Sequence, residues 1–159
     1  MKDKQTVLRK IRSIADYQFG RSVGEALFPN NVKVVFSRRT GKIRHVYFRR
    51  ELLATLRPTD GMFSLTVAAA KRMMKSVKNP PLGVKVQKEA ASFIIKGKSV
   101  FAKHIVDADS EIRPKEEVIV IDESGKVLAV GRAVLTGKEM KAFKRGVAVK
   151  VRRGAAERS

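Results

Sequence analysis

Three clusters of guanidinium and ammonium groups are the residues best able to do chemistry in this sequence. That chemistry is the binding of phosphate. Arg38, Arg39, Lys42, Arg44, Arg49 and Arg50 crowd one segment. Lys96, Lys98 and Lys103 bracket Gly97. Lys141, Lys144, Arg145, Lys150, Arg152 and Arg153 crowd the C-terminal end. Any one of these taken singly reads equally well as a solvated face. Three together, with few acids inside the first, point to a polyanion. Gly97-Lys98-Ser99 has the look of a nucleotide-binding loop, but that loop needs another glycine five residues earlier, and Ser92 stands there. An NTPase is therefore excluded. A tight turn at Gly97 still exposes backbone N–H groups to a single phosphate.

Bond-breaking chemistry has little support. General acid–base catalysis wants paired carboxylates, or a histidine with an orienting partner. The N-terminal half holds Asp3, Asp16, Glu25, Glu51 and Asp60 and no other acid. Asp16 reads as a helix cap and Asp60 as a turn residue. His45 lies in a basic hairpin and His104 beside Lys103, each without a neighbouring carboxylate. Glu116, Glu117, Asp122 and Glu123 read as a solvated acidic rim around a hairpin. The absence of cysteine excludes disulfide frameworks and thiolate metal sites. The expectation is no catalytic residue, no metal and no cofactor.

Composition agrees with that direction. The 159 residues carry 35 Lys+Arg against 15 Asp+Glu, a formal net charge of +20. Such a surface repels itself unless a polyanion or salt screens it, and nucleic acid gives affinity through counterion release. Residues 1–83 hold 18 of the basic and 5 of the acidic residues, so the N-terminal half carries the more intense field. Aromatics are 6% of the chain, with no tryptophan, which disfavours multi-base stacking on a sheet. Recognition of phosphate and shape in a folded RNA suits this composition better. No apolar run is long enough for a membrane span, and the charged N-terminus lacks a signal-peptide core. The expected location is the cytoplasm.

The elements that must position these charges follow from periodicity. Val7, Leu8, Ile11, Ile14 and Ala15 predict an amphipathic helix over Lys4–Ala15, and a second short helix is expected over Tyr17–Leu27. Val32–Ser37 and Ile43–Phe48 form a predicted hairpin around Arg38–Lys42. Leu52–Leu56 and Met62–Leu65 flank the turn Pro58-Thr59-Asp60-Gly61. A helix is expected over Thr66–Val77, with Val67, Ala70, Met74 and Val77 on one face. Asn79-Pro80-Pro81 breaks any helix and is the expected domain boundary. Beyond it come a strand at Val84–Val86, a helical turn or two at Glu89–Ile95 and a strand at Val100–Val106. Glu117–Ile121 and Lys126–Val134 are strands joined by Asp122-Glu123-Ser124-Gly125. Thr136 with Glu139 makes a capping box, and a closing strand runs over Val147–Val151. Gly154–Ser159 reads as a frayed tail. The expected fold class is α+β. A small N-terminal α+β domain (1–79) precedes a C-terminal β pseudobarrel (82–154) and a flexible tail (155–159), because a small sheet loses its edges by closing.

Several segments resemble a known family. Ala15-Asp16-Tyr17-Gln18-Phe19-Gly20, Thr40-Gly41-Lys42-Ile43-Arg44 and Ala54-Thr55-Leu56-Arg57 with Asp60-Gly61 are similar to the region before the PUA domain of archaeal tRNA-guanine (archaeosine) transglycosylase. Gly97-Lys98-Ser99-Val100-Phe101-Ala102-Lys103, Ile112-Arg113-Pro114, Val130-Gly131-Arg132-Ala133 and Gly146–Arg152 resemble the PUA domain itself. Archaeosine synthase has a similar C-terminal region. Lys115-Glu116 departs from the glycine-led turn of many PUA domains. The resemblance implies RNA binding, with Lys96, Gly97, Lys98, Lys103, Gly131, Arg132, Arg145, Arg152 and Arg153 facing the RNA. Gly97 and Gly131 would permit close backbone approach. The N-terminal cluster adds Arg38, Arg39 and Arg44. The family's catalytic barrel has no counterpart in these residues.

Three functions fit at this stage. The first is a stand-alone protein that binds structured RNA, above all tRNA, one form of which is a detached RNA-binding subunit serving a separate tRNA-modification enzyme. The second is a ribosome- or translation-associated assembly factor that uses the PUA domain, with rRNA as its contact. The third is a minimal RNA-modifying enzyme relying on Asp16 or Asp60. The expected partners are structured RNA and an RNA-modifying chain, with no membrane.

Overall fold

The computed structural model describes residues 3–77 and 81–157. The chain divides into two compact units, one ending at Ser76 and the other beginning at Val77. Asn79 and Pro80 of the expected boundary lie outside the described residues.

The first unit opens with α1 (Lys4–Phe19), whose N-terminus is capped by the Asp3 side chain accepting from the Gln5 N–H. This helix runs four residues beyond the sequence expectation and takes in Tyr17–Phe19. The second helix is correspondingly short, α2 (Val23–Leu27). Gly20, at φ 117°, ends α1. Asp16 does cap a helix, but not its own. Its Oδ1 accepts the Gly24 N–H at 2.7 Å, in the first turn of α2. Gly24 is required at that crossing, since a Cβ there would stand 2.2 Å from the Arg12 carbonyl oxygen.

Strands β1 (Lys33–Phe36), β2 (Ile43–Phe48), β3 (Glu51–Leu56) and β4 (Phe63–Leu65) form an antiparallel meander in that order. The turn before β4 is held as expected by Asp60, which accepts from Met62 N–H and pairs with Arg57. Edge strand β4 is short, and Gln18 of α1 occupies its free side. The Gln18 Nε2 donates to the Phe63 carbonyl at 2.8 Å and its Oε1 accepts the Phe63 N–H at 2.7 Å. Helix α3 (Val67–Ser76) follows, capped by the Thr66 hydroxyl accepting from Ala69 N–H. Its buried face is Ala69, Ala70 and Met73, so the expected stripe through Val67 and Met74 is one position out of phase. Small alanines let α3 lie close over the sheet. Ile11, Ala15, Phe19, Leu27, Phe28, Leu53 and Phe63 complete this core, with Phe28 and Phe63 edge-to-face at 5.3 Å.

The second unit is a six-stranded sheet. Its strands are β5 (Gly83–Val86), β6 (Val100–Phe101), β7 (Ile105–Ala108), β8 (Glu117–Ile121), β9 (Val127–Ala133) and β10 (Val147–Gly154). The order is β6-β10-β9-β8-β5-β7, with β5 and β8 parallel and the rest antiparallel. The end strands β6 and β7 are joined by a single 3₁₀ turn, Ala102–His104, so the sheet nearly closes into a PUA-type pseudobarrel. The single strand expected over Val100–Val106 is thus two strands bent at that turn. Helices α4 (Lys88–Ile94) and α5 (Gly137–Ala142) are inserted between strands. The capping box of Thr136 and Glu139 is present as expected. The turn after β8 is held by Asp122, which accepts from Ser124 and Lys126. Burial raises the Asp122 pKa, but these hydrogen bonds and the Lys126 charge outweigh it and hold the carboxyl below its ordinary value.

All five residues of β8 are buried, and the core gathers Val84, Val86, Val100, Val118, Val120, Val130 and Val149. Gly131 lies where β9 meets β10. A Cβ there would stand 2.3 Å from the Lys150 carbonyl oxygen. The frayed tail does not begin at Gly154. Ala155 and Ala156 N–H groups donate to the Leu128 and Ile95 carbonyls at 2.8 and 2.9 Å.

Gly131→Ala is expected to cost about 1–3 kcal/mol, because β10 must shift to admit the methyl group. The check is a denaturant melt of variant against wild type. His45 generates a second expectation. Its Nδ1 lies 3.1 Å from the Thr55 hydroxyl, and burial first, then the Arg44 charge, hold its pKa below 6.5. The unfolded chain therefore binds more protons than the folded one just below pH 6.5. This contribution is complete above that value and is lost as pH falls toward the folded pKa. Melting temperature drops on acidification from about pH 7.5 to about pH 5, and His45→Gln makes the drop shallower.

Candidate nucleic-acid interface

Strand β10 is the spine along which the PUA unit gathers its cations. At its start, the Ala102 N–H donates to the Gly146 carbonyl and Val147 pairs with Phe101. That pairing brings Lys103, on the 3₁₀ turn, beside Arg145, and both are exposed. In the middle, Lys150 stands directly opposite Arg132 of β9, and both are exposed. At its end, Gly154 packs so tightly on the Ile95–Gly97 backbone that a Cβ on it would meet the Ile95 oxygen at 2.3 Å. Lys96 and Lys98 flank Gly97 and Arg153 precedes Gly154, and all three are exposed. Eight residues of strand carry these three groups along roughly 25 Å.

Like charges directly opposite in an antiparallel ladder repel. The next residue along the row is Glu117 of β8, paired with Arg132 in register. It is not a member of a solvated rim, as the sequence suggested. Its side chain is fully buried and forms a bidentate ion pair with Arg152, whose Nη1 donates to Oε1 at 2.9 Å and whose Nη2 donates to Oε2. The bulge between Val151 and Arg153 frees Arg152 from the ladder. Arg152 is 38% exposed, so its guanidinium has one edge on Glu117 and part in solvent.

The two glycines expected to admit RNA backbone have nearer neighbours. Gly131 admits β10, as described. Gly97, at φ 99°, faces the Glu157 carboxylate, which would lie 2.6 Å from a Cβ and which accepts the Gly154 N–H at 2.7 Å. The N-terminal cations form a separate group. Arg38 and Arg39 are exposed in the β1–β2 turn, and Arg44 is half-buried on β2.

Sequence reasoning placed Lys150 in a cluster without choosing it as a ligand. The alternation of Lys150 and Arg152 with apolar neighbours was the signal for it. Phe93 and Phe101, exposed at 63% and 43%, were also missed. The Phe93 carbonyl accepts the Lys98 backbone N–H at 3.2 Å. No helix among the described residues is long and apolar enough to cross a membrane.

This geometry has relatives. Residues 83–155 match the PUA domain model, and residues 9–80 match the patch-forming domain C2 of tRNA-guanine transglycosylase. Residues 83–155 are a PUA domain. The chain is 44% identical over 147 residues to the tRNA-guanine(15) transglycosylase of Methanothermobacter thermautotrophicus, covering 92% of this chain and 22% of that protein. The transglycosylase of Pyrococcus furiosus is 41% identical over 155 residues, covering 98% of this chain and 26% of that one. The chain thus spans about a quarter of these curated relatives and matches their C-terminal portion. Among solved structures, a hypothetical protein from Pyrococcus horikoshii OT3 superposes with TM-score 0.77 and 26% identity, covering 99% of this chain and 94% of that chain. A conserved PUA domain protein from Thermoplasma acidophilum shares the fold, with TM-score 0.67 and 20% identity, covering 98% and 93%.

The ion pair and the exposed cations separate by experiment. Arg152→Ala removes this bidentate ion pair from buried Glu117 and is expected to destabilise by about 2–4 kcal/mol, scaled down from a fully buried pair for the partial exposure of the guanidinium. Lys150→Ala relieves repulsion from Arg132, so its melting temperature holds or rises while RNA affinity falls. Thermal melts and RNA titrations on both variants check this.

Proposed function

We propose that this protein binds structured RNA, tRNA in the first place, as the RNA-holding part of a tRNA-guanine transglycosylase system, and catalyses nothing itself. The observation that carries the reading is exposed Arg132 directly opposite exposed Lys150 on β10, with exposed Lys103 and Arg145 near one end of that strand and exposed Lys96, Lys98 and Arg153 near the other. Cations spaced along an extended strand match a row of backbone phosphates, and they fix position without reading base identity. A net charge of +20 supplies the counterion-release term. The relatives act at guanine 15 of tRNA by their names, and the portion they share with this chain is their C-terminal quarter. The reacting groups then belong to a separate or preceding catalytic part. Arg152 supports the strip by neutralising Glu117, and Arg38, Arg39 and Arg44 give the N-terminal unit its own phosphate contacts.

The test is a titration of tRNA, an rRNA fragment and duplex DNA of equal length at several salt concentrations. tRNA is expected to keep its advantage as salt rises. Equal binding to all three would reduce the protein to a generic polyanion binder and sink the reading. Arg38→Glu with Arg39→Glu is expected to weaken tRNA binding and flatten its salt dependence.

A further inference from the structure

The hairpin that joins β2 to β3 has two central residues, Arg49 and Arg50, at φ 50° and 67°. Phe48 and Glu51 pair across it. Positive φ at both central residues is the pattern of a type I′ turn, which Asn-Gly adopts without strain. An arginine at either position carries a Cβ into the left-handed region, and two in succession compound the cost. Nothing about closing this hairpin asks for arginine.

The surroundings explain what two arginines there would do. The Phe48 ring carries the Arg49 guanidinium at 4.9 Å from its centroid and the Arg72 guanidinium, from α3, at 4.7 Å. Both cations are therefore held on an aromatic surface rather than by a carboxylate. Arg72 spends one Nη2 hydrogen on the Ala26 carbonyl at 3.4 Å, and its Nε is buried with no hydrogen-bond partner among the described residues. Arg49, Arg50 and Arg72 form no ion pair among the described residues, although Glu51 follows the turn immediately. Two guanidinium groups thus share one ring beside a strained turn, and the turn carries a third in exposed Arg50. This lies at the opposite end of β2 from Arg38–Lys42, ~17 Å away by strand rise.

We propose that this arginine turn is a second phosphate-binding point of the N-terminal unit, separate from the β1–β2 turn, and that its ligand is the phosphodiester backbone of RNA. The proposal rests on the RNA-binding reading above and adds a site to it. Guanidinium is the group suited to the job. It is planar, weakly hydrated and forked, so it stacks on Phe48 with its face while its edge N–H groups take phosphate oxygens. Prior stacking removes part of the ordering cost of binding. The backbone strain at Arg49 and Arg50 is retained because it points two such forks outward from one turn.

The experiment replaces the turn by the sequence its geometry prefers. Arg49→Asn with Arg50→Gly is expected to raise the melting temperature by relieving the backbone, while lowering affinity for a tRNA transcript by roughly tenfold and reducing the slope of log K against log salt by about one to two. Arg49→Gln with Arg50→Gln keeps the side-chain bulk and is expected to lose the same affinity with no gain in melting temperature. Arg9→Gln with Lys10→Gln, on exposed positions of α1, removes equal charge and is expected to change the slope far less. If the Asn-Gly variant binds tRNA as wild type does, the site is overturned while the RNA-binding reading stands. Equal losses in the α1 control overturn it as well, since the effect is then diffuse charge. Wild type that fails to bind tRNA brings down the RNA-binding reading itself, a result the variants cannot imitate.

Discussion

Lys150 and Arg132 face each other across the β9–β10 ladder, two like charges directly opposite. The one acid in their row, Glu117, is already committed to Arg152. This arrangement is unfavourable within the folded chain alone. It becomes favourable when a polyanion lies over it, since phosphate oxygens then bridge cations that otherwise repel. The buried Glu117–Arg152 pair sets the limit on how many cations the face holds. It anchors one guanidinium beside the exposed Arg132 and Lys150.

The same trade recurs in the N-terminal unit by a different device. There no carboxylate is buried to hold the arginines. The Phe48 ring serves instead, carrying Arg49 and Arg72. An aromatic holds a cation without neutralising it, so the positive field reaches outward undiminished. A carboxylate fixes position but cancels charge. The N-terminal unit uses both, since Asp60 holds Arg57 at its other turn.

Much of this was legible in the residues. The hairpin at Asp122–Gly125, the capping box of Thr136 and Glu139 and the closing strand all follow from local chemistry, and local chemistry was enough to place them. The closing of the C-terminal half into a partial barrel followed from its many short strands, and the α+β class from the family resemblance. What failed depended on partners distant in sequence. Glu117 reads as surface because Glu116 precedes it, and only Arg152, 35 positions later, shows why it is inside. Gly131 reads as a gap for a ligand, while the space is taken by β10. Helix α3 buries Ala69, Ala70 and Met73, a face that apolar periodicity does not choose when small alanines compete with Val67 and Met74. The Arg49–Arg50 turn lacks the Asn-Gly signal, so its positive φ angles could not be read from residue type.

Gln18 gives the N-terminal sheet a handedness of availability. Its amide occupies both the N–H and the carbonyl of Phe63, the groups that β4 would otherwise offer to a further strand. A foreign strand seeking to extend the meander finds that margin stopped by a single side chain. Any lengthening of the sheet, by a partner or by misassembly, has to begin from β1 at the other margin.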